Sequence, residues 1–225
     1  MPPGRHLLPA DFVAQNQRER LLLAVALLAS ERGYQKTTIE AIAKTARVAL
    51  ATFYENFANK EECFLAAFDQ NVEVAVELLG ELVDQTQPWP DRVVVATRGL
   101  LDLMAAEPAS ARLCLVEAPG AGSAGLQRYQ AMLERVALKL REGRQLLPSE
   151  DSLPEGLELA TAGGLAWILY QRLNQRGDEQ LTELLPEMIQ IALAPYVGRE
   201  EAVARATAAA AEGPGPEAAG EAGTA

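Results

Sequence analysis

The chain has 225 residues, 49% of them hydrophobic, with two cysteines, one histidine and a formal net charge of −11. Two cysteines far apart in sequence exclude a disulfide framework and a zinc-finger spacing. The start of the chain lacks the apolar segment of a secretory signal, and the longest apolar runs fall far short of the ~20 residues of a membrane span. We therefore expect a soluble, cytoplasmic protein without a membrane partner.

Charge is distributed unevenly along the chain. Residues 1–60 hold eight Lys and Arg against five Asp and Glu, whereas residues 61–225 hold twelve against twenty-six. A mildly basic module is thus joined to an acidic and larger one. This arrangement suits nucleic-acid binding only if the cations of the first module lie where a DNA-binding motif needs them.

Apolar periodicity and helix-ending residues predict an all-α protein of about nine helices, consistent with its abundance of Ala and Leu. In chain order the predicted helices cover residues 16–32, 38–46, 49–57, 60–85, 91–106, 109–118, 126–143, 157–175 and 179–197. We predict an irregular arm over residues 1–15. Residues 199–225 are rich in Ala, Gly, Glu and Pro, and we predict a tail that ends disordered, with a helical start as the open alternative.

Residues 38–57 are typical of a helix-turn-helix. Ile42 and Ala43 mark the inner face of a short helix, and the small Ala43 lets two helices cross closely. After a short turn, a second helix places Phe53 and Phe57 on one face, where they are predicted to fill the core. In a helix-turn-helix this second helix enters the major groove of DNA.

The stretch TTIEAIAKTARVALATFYENFANKEE resembles the N-terminal domain of the tetracycline-repressor (TetR) family of bacterial transcription regulators. The resemblance is specific over about the first quarter of the chain. The remainder fits the family's ligand-binding and dimerising domain by length and helix count only. The resemblance implies a DNA-binding domain over residues 16–60, a helical ligand-binding and dimerisation domain over 61–198, no enzymatic activity and no cofactor.

The residues of this motif have predicted roles at DNA. Hydroxyl groups, cations and a helix N-terminus set the register on the phosphate backbone, and the predicted phosphate contacts are Thr37, Thr38, Tyr54, Lys60, Arg18 and Arg20. By the resemblance, the predicted base contacts are Leu50, Ala51, Glu55, Asn56 and Arg47. Thr37 or Thr38 is also the predicted N-cap of the second helix, and Asn59 that of the fourth.

Three positions depart from the family's pattern. Arg47 stands in the turn where the family usually has Gly, so either Arg47 takes a positive φ or the turn differs. Ala49 stands where Ser often caps the third helix, and Ala51 where Gly allows the closest approach to DNA. These departures affect the operator sequence and the stability of the third helix more than the fold.

The resemblance also implies a ligand pocket and a dimer interface. Predicted pocket residues are Phe68, Val72, Leu100, Met104, Leu115, Tyr129, Leu133, Trp167 and Tyr170, with ordinary core as the alternative role for each. Gly163 and Gly164 in mid-helix indicate close helix packing, either between two subunits or within one. Predicted interface residues are Gly164, Ile168, Gln171, Leu181, Leu185, Met188, Ala192 and Tyr196.

Other functional classes lack the residues they need. Gly120, Gly122 and Gly125 match G-x-G-x-x-G, but no strand ending in an acid follows, so a flexible connection is the better interpretation. One histidine, His6, cannot build a catalytic triad or a metal cluster. The acidic run SEDSLPEGLE is interpreted as a solvated face.

The sequence therefore predicts a dimeric, ligand-responsive regulator, a repressor released from a palindromic operator by a small hydrophobic or amphipathic molecule. The alternative is a helical small-molecule-binding protein or enzyme whose N-terminal module does not read DNA.

Overall fold

Helices account for nearly all of the regular structure. The computed structural model describes residues 10–149, 153–175 and 181–212, and those ranges contain ten α-helices, against about nine predicted, and no strand. The helices are α1 (Ala10–Arg32), α2 (Ile39–Ala46), α3 (Leu50–Asn56), α4 (Lys60–Leu82), α5 (Trp89–Ala106), α6 (Pro108–Arg112), α7 (Gly122–Arg141), α8 (Leu157–Gln175), α9 (Leu185–Val197) and α10 (Arg199–Ala211). None of these helices is long and apolar enough to span a bilayer.

Two helices begin four or more residues earlier than predicted. The first starts at Ala10 rather than at residue 16, because no Pro or Gly after Pro9 interrupts it. The seventh starts at Gly122, so the glycine-rich segment expected to be a loop forms its first turn instead. A π-turn, Leu113–Glu117, and a 3-10 turn, Ala118–Gly120, lead directly into it.

Helix α10 occupies the first part of the low-complexity tail, for which a helical start was the alternative to disorder. Alanine is the strongest helix former, and Ala202, Ala206 and Ala209 recur at helical spacing as a buried stripe packed against α9. The Arg98 guanidinium donates a hydrogen bond of 2.6 Å to the carbonyl of Ala209, and Arg205 pairs with Asp91 of α5. Residues 213–225 of the predicted tail, like residues 1–9 of the predicted arm, lie outside the described ranges.

A first hydrophobic core, the head core, joins α1, α2, α3 and the first half of α4. Phe53, Phe57 and Phe64 are its largest fully buried side chains. The N-terminal half of α4 is thus part of the same core as the three helices before it. We call α1, α2, α3 and this half of α4 the head. Polar contacts tie the head to the rest of the chain, among them a 2.7 Å hydrogen bond from the Tyr34 amide to the Glu117 carboxylate.

A second hydrophobic core, the body core, lies among α5, α7, α8, α9 and α10. Leu101, Leu173, Ile189 and Leu193 are almost fully buried in it. Helix α7 packs mainly against α8 and only lightly against α4. Met132 of α7 packs against both cores and so marks the seam between them.

A buried ion pair lies at the edge of the body core. The Arg144 guanidinium donates to both carboxylate oxygens of Glu158, at 2.6 and 3.1 Å, and the side chains are only 7% and 5% exposed. Arg144 also donates to the carbonyls of Leu153 and Pro154, and the Tyr196 hydroxyl donates to Glu158 at 3.1 Å. The acidic run that contains Glu158 was predicted to be solvated, and for this residue the prediction is wrong.

Candidate functional site

The turn between α2 and α3 is built as the sequence predicts. The Thr38 hydroxyl oxygen accepts a hydrogen bond of 3.2 Å from the Ala41 amide and so caps α2. Arg47 ends the helix in the left-handed conformation, with φ 54° and ψ 45°. Its amide and that of Val48 donate back to carbonyls of the last turn, the pattern that usually places Gly at this position. Of the two alternatives for this position, a positive φ at Arg47 or a different turn, the structure has the positive φ.

Replacing Arg47 with glycine should raise the free energy of unfolding by about 1 kcal/mol, because a left-handed conformation costs a side-chain-bearing residue roughly that amount. Urea denaturation of wild type and variant measures the difference. Arg47→Ala is the matched control, since it removes the same charge but keeps the Cβ atom. Equal stability of the two variants would show that the left-handed backbone carries no such cost.

Helix α3 buries one face and leaves the other uncovered. Phe53 is fully buried, whereas Leu50 and Tyr54 are 43% and 54% exposed, and Ala51 and Glu55 are exposed beside them. The division of the aromatic residues into core and surface is as predicted. The helix begins at Ala49 without a side-chain cap, also as predicted.

Asn56 and Arg47, the remaining predicted base contacts, flank this uncovered face. The Asn56 amide nitrogen donates to the Thr52 carbonyl at 2.8 Å, which orients its side chain along the helix, and Arg47 is exposed in the turn. The carbonyl of Arg47 accepts a 3.0 Å hydrogen bond from Arg20 of α1. Arg20 therefore holds the turn against α1.

Two of the predicted phosphate contacts are engaged inside the protein. Thr37 is buried, and its hydroxyl donates to the Gly33 carbonyl at 3.0 Å, so the prediction that it offers a hydroxyl at the surface is wrong. The Lys60 ammonium donates to the carbonyl of Tyr34 at 2.9 Å and lies 4.2 Å from the centre of its ring. Partial burial lowers the pKa of Lys60. Its charge stabilises the connection between α1 and α2.

Other cations remain on the outer surface of the head. Arg18 is exposed and stacks 4.5 Å from the centre of the Phe57 ring, and Thr38 is also exposed. Lys36, before α2, and Lys44, in its last turn, are exposed as well and were not among the predicted contacts. Their position within the basic helix-turn-helix segment is the sequence feature from which they could have been predicted as phosphate contacts.

The predicted ligand pocket is only partly assembled. Met104 and Leu115 belong to the body core, and Leu100, Tyr129 and Leu133 pack against it. Trp167 is 58% exposed and stacks on Tyr170, with ring centres 5.2 Å apart, so its assignment to a pocket wall is wrong.

Two small cavities stand out in the described ranges. Phe68 and Val72 of the predicted pocket line a cavity of about 90 Å³ between α4 and α7, together with Asp69, Glu73, Arg128, Ala131, Met132 and Arg135. A second cavity, of about 170 Å³, lies between α1, α4 and α6. The four charged residues of the first cavity were not predicted, because each is remote in sequence from its partner.

Most of the predicted dimer interface lies inside the subunit. The side chains that belong to the body core are Leu181, Leu185, Met188, Ala192 and Tyr196. Their assignment to an intersubunit face is wrong, because α9 packs against α10, α5 and α8 of the same chain. Ile168 and Gln171 are half-buried.

Helix α8 presents an uncovered surface. Gly164 is exposed, and no atom lies within 4 Å of the position that a Cβ would take at either Gly163 or Gly164. The two glycines therefore make no close helix contact within the subunit. Leu159 and Trp167 are exposed on the same helix, at 48% and 58%.

The structure buries both thiols of the chain. Burial raises the pKa of both thiols, Cys63 and Cys114, to about 12, which keeps them protonated and weakly nucleophilic. In the part of the chain that the structure describes, no three His, Cys, Asp or Glu side chains lie close enough to hold a metal ion.

Two short helices crossing at a tight turn, with one face of the second helix uncovered, define a helix-turn-helix protein. Residues 21–67 match the profile of the family described as bacterial regulatory proteins, tetR family. The match covers the N-terminal helix-turn-helix region of the chain. An uncharacterized HTH-type transcriptional regulator of Mycobacterium bovis is 43% identical over 70 residues, which are 30% of this chain and 35% of that protein. The match thus spans about a third of that relative's length.

Solved structures resemble this chain over the helices of the body core as well as over the head. The transcriptional regulator FadR from Bacillus subtilis, solved in complex with stearoyl-CoA, has a TM-score of 0.66 and 20% identity over 80% of this chain and 98% of that one. A gamma-butyrolactone receptor described as ArpA-like has a TM-score of 0.66 and 21% identity over 89% of this chain and 99% of that one. At this level of identity the likeness shows the fold.

Proposed function

We propose that the protein is a dimeric, sequence-specific DNA-binding repressor that a small hydrophobic or amphipathic molecule releases from a palindromic operator. The observation that carries this proposal is the uncovered outer face of α3, on a helix whose other face is anchored by Phe53. A helix held this way can enter a major groove without unfolding its own core. Tyr54 and the exposed cations Arg18, Lys36 and Lys44 surround that face and suit phosphate contacts.

The uncovered face of α8 supports the dimer. Leu159 and Trp167 expose large apolar surfaces there, and the open positions beside Gly163 and Gly164 leave room for a helix of a second copy. A two-fold dimer would present two copies of α3 to half-sites about 34–36 Å apart. We therefore assign the dimer interface to the exposed face of α8 instead of the apolar face of α9.

Two observations support the proposal that the protein binds a small-molecule ligand. One solved neighbour was crystallised with stearoyl-CoA and another is described as a gamma-butyrolactone receptor. In this chain, cavities lie where the head meets the rest of the molecule. In some conformations of the dimer the two heads would not match the spacing of the operator half-sites. A ligand that binds such a conformation more tightly would increase its population, and the dimer would release DNA.

Selection from random-sequence duplexes, followed by binding across a salt series, tests the proposal. We expect a palindrome to be enriched, and a duplex with one half-site to bind far more weakly than one with two. Tyr54→Phe should weaken binding to all sequences by roughly three- to ten-fold, the effect of one lost hydrogen bond. Asn56→Ala should mainly relax the choice of sequence.

Tyr129→Phe is the matched control, because it removes a tyrosine hydroxyl from α7, outside α3 and the proposed dimer face on α8, and should leave DNA binding unchanged. If no palindrome is enriched, and Tyr54→Phe binds scrambled DNA as the wild type does, the DNA-reading proposal fails. The helical small-molecule-binding protein is then the function to pursue.

A further inference from the structure

The end of α1 presents two polar backbone groups that side chains from a distant segment satisfy. In an α-helix each amide donates to the carbonyl four residues before it, so a longer α1 would join the Tyr34 amide to the Ser30 carbonyl. Instead the helix ends at Arg32, and the Tyr34 amide donates to the Glu117 carboxylate at 2.7 Å. The Ser30 carbonyl accepts a hydrogen bond of 3.3 Å from the Arg112 Nε atom. Two side chains of one segment thus complete this helix end.

Arg112 also reaches the end of a second helix. Its Nη1 atom donates at 2.5 Å to the carbonyl of Leu173, in the last turn of α8. The C-terminal ends of α1 and α8 therefore meet at one guanidinium. Because the C-terminal end of a helix carries a partial negative charge, both ends attract this cation. Arg112 is half-buried, so salt and water screen the attraction less than they would at an exposed site.

The segment that carries Arg112 packs into both cores. Leu113 and Cys114 belong to the head core, whereas the next residue, Leu115, belongs to the body core. The π-turn, which holds one more residue than an α-helical turn, lies at this change from one core to the other. The segment therefore joins the head to the helices of the body core, which we call the body.

The position of the head relative to α8 matters for a dimeric regulator. The exposed face of α8, with Leu159 and Trp167, is the proposed dimer interface, and α3 in the head is the proposed DNA-reading helix. The separation of the two copies of α3 in the dimer thus depends on how each head is held against its own α8. Arg112 bonds directly to α8 and to α1 of the head.

We propose that Arg112 is a positioning residue that fixes the head against α8 and thereby determines which spacing of operator half-sites the dimer accepts. Glu117 assists it by holding the Tyr34 amide. The inference rests on the proposed function, since half-site spacing has meaning only for a dimer that reads two half-sites. One added base pair moves a half-site by about 3.4 Å and turns it by about 35°, so a firmly held head should reject it.

A distance measurement between two spin labels tests whether Arg112 holds the head. The labels are attached to Glu40→Cys on α2 and Arg141→Cys on α7, both at exposed positions. The natural thiols, Cys63 and Cys114, are buried and should remain unlabelled. Dilution with unlabelled protein makes the distance within one subunit the measured quantity.

The wild type should give one narrow distribution of distances. Arg112→Met keeps the apolar part of the side chain but offers no donor to either helix end, so the distribution should widen by roughly two-fold. Arg112→Lys keeps a cation with N–H donors and should restore part of the narrowness. Arg98→Met is the matched control, because Arg98 also donates to a carbonyl near a helix end, that of Ala209, but joins α5 to α10 within the body. It should leave the distribution unchanged.

Binding to duplexes of graded spacing tests the consequence for DNA. The palindrome enriched from random sequences is remade with its half-sites one and two base pairs closer together and farther apart. Arg112→Met should bind the selected spacing about ten-fold more weakly, because only about a tenth of its dimers would hold both heads correctly. It should also distinguish neighbouring spacings less sharply than the wild type. Both proteins should bind a single half-site equally, which shows that the variant is folded and reads DNA.

Two outcomes would overturn the inference. One is a distance distribution as narrow in Arg112→Met as in the wild type, whatever the DNA result. The other is an equal loss of affinity at every spacing and at the single half-site, which indicates a general loss of stability. If the distribution widens but no palindrome is enriched, the role of Arg112 in holding the head stands and the regulator function fails.

Discussion

Replacing Glu158 with glutamine should lower the free energy of unfolding by about 3–5 kcal/mol, the cost of breaking a buried ion pair. The substitution leaves the Arg144 guanidinium almost fully buried without the carboxylate that balances its charge. The Tyr196 hydroxyl would also lose its charged acceptor. Chemical denaturation monitored by circular dichroism measures the loss.

Glu155→Gln is the matched control for this prediction, because Glu155 is an exposed carboxylate three residues earlier in the chain. Its effect should stay within about 0.5 kcal/mol. The double variant Arg144→Met/Glu158→Gln should be less destabilised than the sum of its single variants, since neither charge is then left alone. Additive effects would mean that the two side chains do not stabilise each other.

The same pair makes stability depend on pH. Hydrogen bonds from Arg144 hold the pKa of Glu158 below its ordinary value of 4.5. A carboxyl whose pKa is lowered by folding adds stability above its ordinary pKa, and this stability is lost as the pH falls through the folded value. The wild type and Glu158→Gln should therefore become more similar in stability as the pH falls below 4.5.

Replacing Phe53 with alanine should destabilise the head by about 3–5 kcal/mol and abolish specific DNA binding. Phe53 is fully buried and contacts the rings of Tyr54 and Phe57, with centres 5.6 and 5.8 Å away. Its removal leaves a cavity beneath α3, which has seven residues and no side-chain cap to stabilise it. The melting temperature should fall by roughly 6–20 °C.

Leu50→Ala is the control on the same helix, because Leu50 is 43% exposed and fills no cavity. Its effect on stability should stay below about 1 kcal/mol, although it changes a proposed base contact. If Phe53→Ala kept both its melting temperature and its DNA affinity, α3 would not depend on the head core as the structure indicates.

The features that the sequence predicts well depend on neighbours within a few residues. Thr38 and Asn59 cap their helices as predicted, since a cap forms between a side chain and an amide three residues on. The opposite orientations of Phe53 and Tyr54 follow from helical periodicity alone. At Arg47 the sequence leaves two alternatives, a positive φ or a different turn, and the structure has the first.

The features that the sequence does not predict depend on distant partners. The stripe through Leu185 and Met188 shows that α9 has a buried face, but periodicity cannot tell whether the subunit or its copy covers that face. Arg144 and Glu158 are 14 residues apart, and only the fold shows that they meet in a buried site. Lys60 was assigned to DNA because nothing near it in sequence revealed its bond to Tyr34.

The length of α4 has a mechanical consequence. Its 23 residues span about 34 Å, from the head core to the end of the seam with α5. If the far end is fixed, a tilt of only about 5° displaces Lys60 by about 3 Å, close to the 3.4 Å rise of one base pair. The helix is therefore long enough to turn a small tilt about one end into a displacement of about 3 Å at the other.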